Sequence, residues 1–225
     1  MALIYINDVC SDVRIGLWRM DEEADELFDR YPHLRQLEMP FKNTGRQKEF
    51  LCVRALLMEM TGDDALHIDH LESGQPVISR GLQISDNMQI PDNKWQVSIS
   101  HTRGYAVLML SRTKVVGVDI EYRSDRITKI ASHFIRPDEM VETVEQMLIL
   151  WCAKETLYKL HSEDNLHYFD MRQVSVAQSD LMGENMCDDR EVTLENMKRG
   201  ELVTIHVTLT PEYVLTWAWD LSTGI

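Results

Sequence analysis

Hydrophobic and polar positions along the chain change period several times, and the changes mark out its elements. An apolar run at residues 2–6 reads as a short strand, and residues 21–31 read as an acidic helix. From about 44 to 60 apolar residues recur three and four apart at Phe50, Val53, Leu57 and Met60, which predicts a longer helix stopped by Gly62. Short β-rich runs follow at 67–70, 77–79, 95–100 and 105–110, separated by turn residues such as Ser73-Gly74 and Pro91-Asp92-Asn93.

The plan then repeats. A strand is expected at 115–121, helical segments at 127–140 and 144–160, and strands at 173–177, 203–208 and 213–219. The polar stretch 178–200 reads as an exposed excursion between strands. EFLCVRALL in the first half and ILWCAKETL in the second share a pattern, and each half ends in an apolar strand, YAVLML or YVLTWAW. The expected fold is therefore α+β, a pseudo-dimer of two similar halves, 1–113 and 114–225, each a mainly antiparallel sheet packed on a long helix. No Pro-, Gly- or Ser-rich linker separates the halves, so they are expected to pack closely.

Composition narrows the function. With 225 residues, 44% of them hydrophobic, the chain can bury a proper core. No apolar run reaches membrane-spanning length and the N-terminus lacks the pattern of a signal peptide, so a cytoplasmic location is expected. Cys10, Cys52, Cys152 and Cys187 are scattered, which indicates neither a zinc site nor a disulfide framework; Cys52 and Cys152 read as small buried helix residues. A net charge of −14 argues against a protein that coats nucleic acid. Locally, Arg123, Arg126, Lys129 and Arg136 form a basic segment, either a docking patch for an acidic partner or a solvated helix face.

Candidate chemistry concentrates in VVGVDIE at 115–121 and WCAKETLYK at 151–159. In an extended strand Asp119 and Glu121 point to one face with their Cα atoms about 7 Å apart, near enough to share a cation. The alternative is that the strand ends at Ile120 and both acids are solvated. In a helix Glu155 and Lys159 lie one turn apart, with Trp151 one turn before. Residues 147–153 are apolar on every side, so Lys154 and Glu155 continue out of a buried helix and need partners, a ligand or a metal. The alternative is an ordinary Glu155–Lys159 helical pair. Carboxylates without a nearby His or Cys pair favour Mg²⁺ over zinc.

Other positions are less specific. Ser100 and His101 leave a strand and could donate to a phosphate, or form a plain turn. Arg46, Lys48 and Arg54 surround the start of the 44–60 helix, where cations oppose the helix dipole unless an anion sits there; ordinary surface charge is the alternative. Gly74, Gln75 and Pro76 signal a turn.

In this order, GRQKEFLCVR, Gly74-x-Pro76, Ser100-His101, VGVDIE and WCAKETLYK resemble the 4′-phosphopantetheinyl transferases of the larger, surfactin-synthetase-activating type, over residues 44 to 160. The resemblance implies a pseudo-dimer that holds coenzyme A in a cleft between its halves and acts as a monomer. It implies that Asp119, Glu121 and Glu155 bind Mg²⁺, or Mn²⁺ in its place, with the pyrophosphate of coenzyme A. Glu155 would also take the proton of the acceptor serine, Lys159 would stabilise charge on the pyrophosphate, and Lys154 would contact a phosphate or support the site. Ser100, His101, Arg46 and Arg54 correspond to nucleotide-phosphate contacts, and the Gly74–Pro76 turn to an adenine neighbour. Gln75 stands where a lysine is common. The implied reaction moves phosphopantetheine from coenzyme A to a serine of an apo acyl, polyketide or peptidyl carrier protein and releases 3′,5′-ADP. The rival readings are a Mg²⁺-dependent phosphodiesterase or nuclease, and a non-catalytic module that binds coenzyme A or a carrier protein.

Overall fold

The computed structural model describes residues 2–37, 39–80, 95–178 and 188–221. The expected turn at 91–93 and the stretch 179–187 of the expected excursion lie outside them. The chain divides into two compact units, Met1–Val115 with Leu221–Ile225, and Val116–Asp220.

In the first unit, β1 (Leu3–Cys10) and β2 (Val13–Arg19) form a hairpin, and β2 pairs in turn with β6 (Tyr105–Ser111), which pairs with β5 (Gln96–Thr102). All three pairings are antiparallel. β2 was not expected, and it is central to the sheet; the apolar run at 2–6 is the first part of its hairpin partner. β3 (Leu66–His70) and β4 (Pro76–Arg80) make a separate two-stranded ribbon. The helix α1 (Ala24–Arg30) is followed by a 3₁₀ turn at Pro32–Gln36.

The long helix α2 (Thr44–Thr61) starts where the Asn43 side chain accepts from the Arg46 amide and stops where Gly62 turns left-handed at φ 67°. It buries Leu51, Cys52, Ala55, Leu56 and Met60 in a core shared with Trp18, Ala106 and Leu108. The Asp12 carboxylate closes the far end of the sheet: it accepts from the Ser111 hydroxyl, the Arg112 and Thr113 amides and the Thr113 hydroxyl. The Thr113 hydroxyl foremost, against desolvation and with help from Ser111 and the two amides, holds Asp12 down at about 2.

The second unit contains a five-stranded sheet in the order β7 (Lys114–Tyr122), β11 (Tyr213–Leu221), β10 (Glu201–Leu209), β9 (Asp188–Asn196), β8 (Met171–Gln178). The β8–β9, β9–β10 and β10–β11 pairings are antiparallel. The expected excursion at 178–200 is thus corrected over its described part: residues 188–196 are a strand whose Val192 and Leu194 are fully buried. The single helical segment expected at 127–140 is replaced by a 3₁₀ turn, Asp125–Lys129, and the short helix α3 (Ala131–Phe134), which ends before Pro137.

The long helix α4 (Val144–Leu160) packs on β8, β9 and β10. Thr143 and Gln146 form a capping box at its start. The fold is α+β, with one long helix on a sheet in each unit. Among the described residues no helix is long and apolar enough to cross a membrane.

Candidate functional site

In the second unit, the alternation of β7 buries Val116, Val118 and Ile120 on one face and turns Gly117, Asp119 and Glu121 to the other. Gly117 lets α4 come close. A Cβ at that position would fall on the Thr156 carbonyl oxygen and 3.1 Å from Leu160 Cβ. Two residues further along the same face, Asp119 is 5% exposed. Its Oδ1 accepts from Lys159 Nζ at 2.8 Å, and the same ammonium donates to the Val118 carbonyl at 2.9 Å.

The helical spacing of Cys152, Glu155 and Lys159 places them along one stripe of α4. Burial first, then the Asp119 and Glu121 carboxylates, push the Cys152 thiol well up, so it remains a protonated neighbour of Asp119. Glu155 is also raised, chiefly by burial and further by Asp119. The Tyr168 hydroxyl and Lys159 act against the rise. Tyr168 donates to Glu155 Oε1 at 2.6 Å, and burial together with that carboxylate holds its phenol far above the ordinary range. Asp119, Glu155, Lys159 and Tyr168 therefore share one electrostatic neighbourhood.

Lys154 lies elsewhere. It is fully buried, and its ammonium donates to Glu139 Oε2 at 2.9 Å, the Phe134 carbonyl at 2.7 Å and the Tyr168 carbonyl at 3.2 Å. Burial lowers its pKa and Glu139 opposes that. Of the two roles implied for Lys154, the phosphate contact is corrected: its three donor directions are spent inside the unit. The support role fits the geometry.

Trp151 packs beside it, with its ring centroid 5.2 Å from Phe134 and 5.1 Å from Tyr168. Sequence reasoning missed Tyr168 and Glu139. Neither has a local spacing to α4 that could have revealed it.

Three carboxylates, Asp119, Glu121 and Glu155, supply hard oxygen donors of the kind that suit Mg²⁺ or Mn²⁺. As placed, Lys159 provides positive charge to Asp119, and the three are not drawn to common ligand spacing. Among the described residues the group whose ligand atoms lie within 4.8 Å of one another is His161, Glu201 and Asp220.

The surroundings of His161 argue against a metal there. Asn196 Oδ1 accepts from the Lys198 amide at 3.1 Å, so its NH₂ faces Asp164 Oδ2 at 2.7 Å and His161 Nδ1 at 2.9 Å. That network assigns Nδ1 as acceptor and puts the ring proton on Nε2, the atom 3.9 Å from Asp220 Oδ2. A metal at Nε2 needs a lone pair there and an acceptor facing Nδ1, the opposite arrangement.

In the first unit, Arg46 and His101 converge on one carboxylate. Arg46 Nη1 lies 3.2 Å and His101 Nδ1 3.7 Å from Glu49 Oε2. Ser100 and His101 sit within β5 rather than leaving it, since the strand continues to Thr102. Lys48 pairs with Glu23 at 2.9 Å, as ordinary surface charge would.

Arg54 donates to the Phe50 and Ile68 carbonyls at 3.1 and 2.8 Å, over the Phe50 ring, and burial pulls it down to about 10. With two of its five N–H donors it ties α2 to β3. Gly74, at φ 85°, and Gln75 form the turn that leads to Pro76 at the start of β4.

Of the basic segment, Arg123 pairs with Glu145 at 2.8 Å and Arg136 with Asp138 at 2.8 Å, and Arg123, Arg126 and Lys129 are all exposed.

Residues 115–217, slightly less than half of the chain, match the family model of the 4′-phosphopantetheinyl transferase superfamily. The match spans Asp119, Glu121, Lys154, Glu155, Lys159 and Tyr168. No curated protein matches the chain.

Proposed function

We propose that this chain transfers 4′-phosphopantetheine from coenzyme A to a serine hydroxyl of an apo carrier protein, with a divalent cation, Mg²⁺ or Mn²⁺, held by Asp119, Glu121 and Glu155. The observation that carries the reading is that the matched superfamily segment contains the whole acidic and lysine cluster of the second unit. The bound cation would neutralise charge on the pyrophosphate. Lys159 would leave Asp119 for the phosphates and stabilise the charge that builds on them.

In the transfer the serine oxygen forms a bond to the phosphorus that carries the pantetheine arm. The bond from that phosphorus to the bridging oxygen breaks, and 3′,5′-ADP leaves with the electron pair. Glu155 takes the serine proton, directly or through one water; burial, by raising its proton affinity, suits it to the task. In the first unit, Arg46, Ser100 and His101 are proposed to contact the nucleotide phosphates, and Gly74, Gln75 and Pro76 to neighbour the adenine. Arg123, Arg126 and Lys129, the exposed cations of the basic segment, are the proposed docking charges for an acidic carrier.

The test is to mix the chain with coenzyme A, Mg²⁺ and an apo carrier protein and weigh the carrier. A gain of one phosphopantetheine is expected, and absence of a gain across fatty-acid, polyketide and peptide carriers rejects the reading. Glu155→Gln should abolish the gain; retention of full activity would refute its role as base. Charge reversal at Arg126 and Lys129 should raise the carrier KM while leaving that for coenzyme A alone, and an unchanged carrier KM removes the docking assignment.

A further inference from the structure

We infer that Tyr168 is the positioning residue that sets the Glu155 carboxylate for metal and substrate, an inference that rests on the transferase reading above. The geometry is specific. Tyr168 sits in the 3₁₀ turn Tyr168–Asp170, outside α4, and two residues of α4 fix it from two directions. The Trp151 ring lies against the Tyr168 ring at 5.1 Å, and the Lys154 ammonium holds the Tyr168 carbonyl at 3.2 Å.

The same two residues hold Phe134. Trp151 meets its ring at 72° and Lys154 takes its carbonyl at 2.7 Å. Tyr168 is thus clamped by ring and backbone, and its remaining group, the hydroxyl, reaches Glu155 Oε1 at 2.6 Å. This gives the buried Lys154 a purpose at a distance: with Glu139 neutralising it, it anchors the turn that carries the hydroxyl.

A hydroxyl donated to one carboxylate oxygen fixes the plane of the group and leaves Oε2 to face a cation or take a proton. An outer partner of this kind is worth about 10- to 100-fold in metal affinity or activity. Tyr168 touches neither metal nor substrate in this role and acts through Glu155.

Tyr168→Phe keeps the ring against Trp151 and the carbonyl on Lys154, and removes only the hydroxyl. Two readouts are taken on the full chain, Mn²⁺ dissociation by electron paramagnetic resonance and steady-state transfer to an apo carrier. The expected result is Mn²⁺ binding weakened about 10-fold or more and kcat lowered by a similar factor, with the KM for carrier unchanged and the thermal midpoint near that of the parent. In a Glu155→Gln background the same substitution should add less than about 2-fold to the loss of Mn²⁺ affinity, because the oxygen it positions is no longer a carboxylate.

If Tyr168→Phe leaves both Mn²⁺ affinity and kcat at parental values in a chain that does transfer, the positioning role is overturned and the transferase reading stands. Equal losses of Mn²⁺ affinity with and without Glu155 also overturn it, since Tyr168 would then act by general support. A parent chain that neither binds Mn²⁺ nor modifies any carrier overturns the transferase reading, and this inference with it.

Discussion

The two long helices, α2 and α4, each lie over a strand glycine, and the two glycines face different things. At Gly16 of β2 a Cβ would meet Met60 Sδ at 2.7 Å and Leu56 Cδ1 at 2.8 Å, the far ends of flexible side chains. At Gly117 of β7 it would meet the backbone carbonyl of Thr156. The first helix rests on its sheet through movable side chains, and the second through main chain, which cannot give way locally. The difference extends to charge. α2 ties itself down with the half-buried Arg54, whose partners are carbonyls, whereas α4 carries a fully buried Lys154 on a buried carboxylate. Helix α4 is the one whose Glu155 and Lys159 must keep register with β7, and its seating is the less forgiving of the two.

The largest effect that tests this contrast is expected at Lys154. Lys154→Ala leaves the Glu139 charge buried and two carbonyls without their donor, at a cost of about 3–5 kcal/mol in urea unfolding. Arg54→Ala in α2 should cost clearly less, because its hydrogen-bond partners are neutral carbonyls and its loss strands no buried carboxylate. Equal costs would break the contrast.

Next, Gly117→Ala should lose about 1–3 kcal/mol by overpacking and reduce transfer, through displacement of Lys159 from Asp119. Gly16→Ala, which only asks side-chain ends to move, should stay within about 1 kcal/mol of the parent by the same measurement.

The smallest effect is pH-dependent. Burial lowers His161 from its ordinary 6.5, so below pH 6.5 the unfolded chain binds a proton that the folded chain refuses. That contribution to stability is complete above pH 6.5 and is lost as pH falls toward the lowered value. His161→Asn should therefore flatten the decline in urea midpoint between pH 7 and 5.5. His33, in the first unit, is shifted the same way but is more exposed, and His33→Asn should flatten the decline less.

Much of the fold could be read from the sequence because periodicity reports one-sided burial. Helix α4 and strand β7 were found at nearly their observed bounds, and the acidic face of β7 with them. Two strands escaped. In VRIGLWR of β2 the alternation is blurred, since Ile15, Gly16, Leu17 and Trp18 are all buried. In β9 Asp189, Glu191 and Glu195 lie among the buried Val192 and Leu194 and gave the stretch a polar average.

For Lys154 the sequence leaves two roles open, for a different reason. A lysine inside a motif looks the same on paper whether it points to a ligand or to a buried glutamate fifteen residues earlier. Tyr168 and Glu139 reach their partners through folding of the chain between elements, which no periodicity encodes.

The enclosure of Lys154 has a practical consequence. An amine with no solvent exposure is shielded from acylating reagents and from trypsin for as long as α4 stays seated. Among the lysines of the second unit it should be the last to take label under mild acetylation, as followed by peptide mass mapping. The rate at which it does so would clock the opening of α4, a built-in reporter of local unfolding that needs no introduced probe.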